Sequence, residues 1–61
     1  MKTLLQLIRD IPDSEDILIK IDGVTRQWNV GKLIRFKHPW LLHDVSDHYV
    51  TELGTHVFVL V

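Results

Sequence analysis

Asp22-Gly23 stands between Ile17-Leu18-Ile19-Lys20-Ile21 and Val24-Thr25-Arg26-Gln27-Trp28, and no other feature constrains the fold as strongly. A two-residue type I′ turn needs positive φ at both central positions, and Asp-Gly meets that demand at low steric cost. The turn sets a hairpin register with Ile21 opposite Val24, Ile19 opposite Arg26 and Ile17 opposite Trp28. One face then carries Ile17, Ile19, Ile21, Val24 and Trp28; the other carries Leu18, Lys20, Thr25 and Gln27. One side of the ribbon is built for a core and the other for water.

Other segments supply what that ribbon packs against. Thr3 and Gln6 form a capping-box pair, and Leu4, Leu7, Ile8 and Ile11 recur at helical spacing, which predicts a helix over Thr3–Ile11 stopped by Pro12. The stretch Pro12-Asp13-Ser14-Glu15-Asp16 reads as a turn-rich connector. Asn29 can cap a short second helix near 30–36, with Val30, Leu33 and Ile34 inward and Lys32 and Arg35 outward. Gly31 weakens that helix. His38-Pro39 ends it, and Trp40-Leu41-Leu42 adds a single turn with Pro39 at its first position.

Gly54-Thr55 fits a type II′ turn and predicts a second hairpin. In that register Tyr49, Thr51 and Leu53 share a face with His56, Phe58 and Leu60. His48, Val50 and Glu52 share the other with Val57, Val59 and Val61. The run Val57–Val61 is apolar on both faces, as a central strand would be. The expected fold is one α+β domain over residues 1–61: an N-terminal helix and two β-hairpins in one antiparallel sheet, with the short second helix near 30–36. Parallel pairing is not expected, because neither hairpin supplies a long crossover.

Composition narrows the chemistry. There is no cysteine, so neither a disulfide framework nor a thiolate zinc site is available. The apolar runs fall far short of the roughly 20 residues that cross a bilayer, and the N-terminal segment reads as an amphipathic helix rather than a signal-peptide core. A cytoplasmic, membrane-free protein is expected. At 46% hydrophobic content on so small a body, some apolar surface stays exposed, which favours a protein partner, either self or foreign.

Net charge is −1, yet it is laid out unevenly: Asp10, Asp13, Glu15 and Asp16 cluster without a base, and Arg26, Lys32, Arg35 and Lys37 follow without an acid. Ser14 and Ser46 lie in no nucleophile pattern, and there is no glycine-rich phosphate loop. Asp44 and Asp47 have no evident cleft to separate their pKa values. No enzyme is expected. His38, His43 and His48 recur every fifth residue with Asp44 and Asp47 between them. That spacing places them together neither on a helix nor on a strand, so no metal site and no cofactor are expected.

Two binding readings remain. The first is a protein-interaction module centred on Trp40 and Leu41, a tryptophan-led apolar knob between His38 and His43, with Lys32, Arg35 and Lys37 steering a partner. Pairing of an edge strand with a second copy belongs to the same reading. The alternative is nucleic-acid binding by Arg26, Lys32, Arg35 and Lys37, with Phe36 as the stacking aromatic.

Leu7-Ile8-Arg9-Asp10-Ile11-Pro12-Asp13 followed by Ile17-Leu18-Ile19-Lys20-Ile21-Asp22-Gly23 resembles the opening of short accessory proteins of bacterial phages and prophages. The resemblance covers about a third of the chain and is a pattern of residue types. It implies a protein that acts by stoichiometric contact with a host or phage component, as inhibitors of bacterial defence systems do. It assigns no functional residue.

Overall fold

The computed structural model describes residues 2–61. In chain order it comprises α1 (Leu4–Ile8), β1 (Asp16–Ile21), β2 (Val24–Asn29), α2 (Val30–Arg35), a 3-10 turn (Pro39–Leu42), β3 (Val45–Val50) and β4 (His56–Leu60). The four strands form one sheet in the order β2-β1-β4-β3. This is a small α+β fold, and among the described residues no helix is long and apolar enough to cross a membrane.

The first hairpin has the register that its turn dictates. Asp22 and Gly23 both take positive φ, 52° and 77°, and Ile21, Ile19 and Ile17 pair with Val24, Arg26 and Trp28. The sheet itself differs from the expected one: it is mixed, because β1 and β4 lie side by side in parallel, with Ile19 beside Phe58. The crossover that parallel pairing demands comes from neither hairpin. Residues 30–44 supply it, carrying the chain from β2 at one edge to β3 at the other.

The second hairpin departs from expectation by three residues of register. His56 pairs with Val50 instead of Leu53, and His48 pairs with Phe58. The loop is Glu52-Leu53-Gly54: the Gly54 amide donates to the Thr51 carbonyl at 2.9 Å, and the Thr51 amide donates to the Thr55 carbonyl at 2.9 Å. Gly54 follows that turn in the left-handed region, at φ 84°. Glycine therefore serves as the bulge residue of a three-residue loop, not as the first corner of a two-residue one. Because side chains alternate with period two, a shift of three exchanges the faces of β3. His48 and Val50 now share a face with His56 and Phe58, and Tyr49 lies on the opposite face beside Val57.

Both helices and the 3-10 turn pack on one face of the sheet. Leu4, Ile8, Val30, Leu33 and Leu41 come from the covering layer, and Ile17, Ile19, Val45, Phe58 and Leu60 from the strands beneath. β4 is central, as its two-sided apolar pattern requires. β3 is an edge, but a blunted one. The Val45 amide donates to the Lys2 carbonyl at 2.9 Å, Thr3 bridges Asp44, and the register slips between Val45 and Asp47.

α1 begins as predicted, with Thr3 and Gln6 bonding each other's backbone amides at 2.9 and 3.4 Å. It stops at Ile8 rather than Ile11. A proline ring clashes with the carbonyl four residues before it, which for Pro12 is that of Ile8. That carbonyl instead accepts the Ile11 amide in a tight turn at 3.0 Å.

α2 ends on a Schellman pattern in which the His38 amide reaches the Leu33 carbonyl at 3.1 Å and the Lys37 amide reaches the Ile34 carbonyl at 3.2 Å. The left-handed position is Lys37, at φ 50°, where glycine is the usual occupant. Lys37→Gly is expected to stabilise the fold by about 0.5–1 kcal/mol, the relief of a left-handed side chain less the greater freedom of unfolded glycine. The check is a higher urea midpoint with unchanged slope; a lower midpoint would show that Lys37 contributes more than its strain costs.

Candidate functional site

The crossover between the hairpins carries most of the residues singled out from sequence. Asn29 ends β2 and accepts the Lys32 amide on its side-chain oxygen at 3.0 Å, while the Val30 and Gly31 amides donate to the carbonyls of Glu15 and Asp13, each at 3.0 Å. The first turn of α2 is thereby satisfied and tied to the connector. Val30 and Leu33 enter the core, and Lys32 and Arg35 remain exposed.

Phe36 lies beyond the last helical residue, where the chain leaves the core, and is 72% exposed. Lys37 then turns the backbone, and the His38 Nδ1 accepts the Trp40 amide at 3.1 Å, capping the 3-10 turn. The His38 ring lies between two indoles, 4.8 Å from Trp28 and 4.7 Å from Trp40. Trp40 is half-buried against the core edge. Of the next two residues Leu41 is 6% exposed and Leu42 is 76% exposed. Leu41 is therefore a core residue and not half of an apolar knob; Leu42 holds the outward place. A short apolar triplet in a 3-10 turn does not reveal from sequence which member points inward, and the exposure of Phe36 follows from α2 ending one residue before it.

Lys32, Arg35 and Lys37 are all exposed on this one segment. Arg26, the fourth base of the nucleic-acid reading, is also exposed, on β2 opposite Ile19. β2 and α2 pack against each other. A shallow depression beside them is lined by Asp16, Gln27, Trp28, Asn29 and Lys32. Its carboxylate is already engaged, because Asp16 accepts from Gln27 Nε2 at 3.0 Å and from Asn29 Nδ2 at 3.4 Å. These bonds fasten β1 to β2.

The histidines separate into three environments. His38 belongs to the indole cluster, and His43 places Nδ1 3.1 Å from the Val61 carbonyl. His48 meets not His43 but His56, with His48 Nε2 2.9 Å from His56 Nδ1. Asp47 Oδ1 accepts the His48 amide at 2.9 Å. Among the described residues no three His, Cys, Asp or Glu side chains gather. The His48–His56 pair was invisible in the sequence because the type II′ register sets the two rings on opposite faces.

His48, although exposed, is held below the ordinary imidazole value of 6.5, first by the partial loss of water around its ring and next by the charge of His56, with Asp47 opposing. A base with a depressed folded pKa is protonated more readily in the unfolded chain. Stability is therefore complete above the ordinary value and falls as pH drops through the folded one. Unfolding midpoints are expected to be lower at about pH 5.5 than at about pH 7.5, above the range where most carboxylates titrate. His48→Gln should flatten that difference, and an unchanged slope in the variant would assign it elsewhere.

No protein-family model, no curated protein and no solved structure matches the chain.

Proposed function

We propose that this chain is a non-enzymatic protein-binding module that docks through the crossover between its hairpins. One observation carries the reading: Phe36 and Leu42, 72% and 76% exposed, lie on either side of the half-buried Trp40 in the chain, on a segment with three exposed cations and no acid. Large apolar side chains beside an aromatic already anchored in the fold can be buried by a partner at low entropic cost, since the backbone beneath is fixed on both sides. Lys32, Arg35 and Lys37 favour an acidic partner and speed the encounter without setting the affinity.

The resemblance of residues 7–23 to phage and prophage accessory proteins supports a host protein as that partner, met stoichiometrically in the cytoplasm. The blunted edge of β3 makes self-pairing through that strand a weaker use of the fold, and the other edge, β2, is mostly polar. Nucleic acid is the second reading, favoured by the same exposed Phe36 among the cations and by Arg26 on the neighbouring strand.

The test is affinity capture from bacterial extract by the wild-type chain and by the Phe36→Asp/Leu42→Asp variant, with and without nuclease. Loss of a specific acidic protein in the variant, unaffected by nuclease, is the expected result. Capture that depends on nucleic acid and falls with Arg26→Glu would transfer the function to the second reading.

A further inference from the structure

We propose that His48 and His56 form a two-imidazole site for a divalent late transition ion, held most tightly as copper(II). The site lies at the β3/β4 end of the sheet and is separate from the crossover.

Its geometry is set by the strands. His48 pairs with Phe58 and His56 with Val50, so the two histidines are diagonal neighbours on one face. The His48 ring lies flat on Phe58, with centroids 4.3 Å apart and planes within 6°. Phe58 is fully buried, so this support does not move. The two imidazoles are nearly coplanar, at 18°, with centroids 5.1 Å apart. That separation exceeds the 2.9 Å between their nitrogens by about two ring radii, so the rings meet edge to edge with their nitrogens facing.

Two imidazole nitrogens bound at right angles to one ion, each roughly 2.0–2.1 Å from it, stand about 2.9 Å apart. The pair is already at that spacing. Because both rings must turn before an ion can enter, this spacing does not choose between ion geometries; copper(II) is preferred because it leads the affinity order for imidazole nitrogen. To admit the ion each ring swings its lone pair off the line between the nitrogens, and the exposed His48 has room to do so. The proton that bridges the pair moves to the far nitrogen of its own ring, so both imidazoles bind as neutral ligands and no redox step is involved. Among the described residues no third protein ligand joins them, and water completes the coordination.

A pair of histidines joined only by a hydrogen bond would look the same without an ion, so the test must read the metal. The full chain is titrated with copper(II) chloride at neutral pH, followed by calorimetry and electron paramagnetic resonance. One ion per chain is expected, with hyperfine structure from two nitrogens. His48→Gln and His56→Gln should each weaken binding by at least about ten-fold, His43→Gln should leave it unchanged, and zinc should bind more weakly than copper. Substoichiometric copper on the wild-type chain should also broaden amide signals first at residues 48, 50, 56 and 58, a readout that needs no variant to fold. Equal affinity in all three variants, or broadening centred elsewhere, would overturn the site.

Discussion

Phe58→Ala is expected to leave the chain unfolded at 25 °C. Phe58 sits on the central strand β4, fully buried, with Ile19 beside it on β1 and His48 opposite on β3. It belongs to the cluster that joins both hairpins to α1, α2 and the 3-10 turn. Truncating a buried phenylalanine costs about 3–5 kcal/mol. A core of this size without disulfide or metal staples rarely supplies more than about 3–5 kcal/mol in total. The loss therefore matches the whole stability. Collapse of amide dispersion and absence of a cooperative thermal transition are the expected readouts. A variant that unfolds cooperatively with a loss under about 1 kcal/mol would show that Phe58 does not occupy the centre of the core.

Gly31→Ala is expected to destabilise the fold by about 1–3 kcal/mol, although in an exposed helix the same change would stabilise by about 1 kcal/mol. The reversal comes from the connector. A Cβ on Gly31 would lie 3.1 Å from both the Cβ and the carbonyl oxygen of Asp13, and 3.3 Å from Asn29 Oδ1. The Asp13 carbonyl is the acceptor of the Gly31 amide, so the backbone cannot retreat without losing that bond. The Asn29 side chain on the other side is held by the Lys32 amide. Urea unfolding of the variant decides the sign. A higher midpoint would mean that the acidic connector does not rest on α2.

Local signals were legible wherever one residue type satisfies one backbone demand. Asp22-Gly23 fixed its own hairpin, Thr3 and Gln6 marked the start of α1, and Asn29 and Pro39 marked the next two helical turns. What failed involved choices that local chemistry leaves open. Gly54 suits a two-residue and a three-residue loop equally, and the registers differ in which face of β3 meets the core, where Val45 is buried opposite Leu60. The parallel β1–β4 pair depends on where the crossover deposits the second hairpin, which no residue within either hairpin encodes. Gly31 read as a weak point in α2 because its close neighbour, Asp13, is distant in sequence.

The candidate sites follow the same division. That residues 30–42 combine cations with aromatic and apolar side chains was readable. That Leu41 turns inward while Phe36 and Leu42 turn outward was not, since it depends on where α2 ends and how His38 caps the next turn. The imidazole pair depends entirely on the three-residue loop, which brings His48 and His56 to one face of the second hairpin.

The central functional claim is that partners meet the crossover. The most direct measurement places a photo-activated cross-linking residue singly at positions 36, 42, 25 and 53, and irradiates each variant in bacterial extract. Position 25 lies on the open face of the sheet, and position 53 bears Leu53, 94% exposed at the second hairpin's tip. The latter controls for indiscriminate apolar contact. One discrete protein adduct shared by positions 36 and 42, and absent from 25 and 53, is the predicted result. Adducts of equal yield at all four positions, or a discrete adduct at 25 or 53 alone, would contradict it.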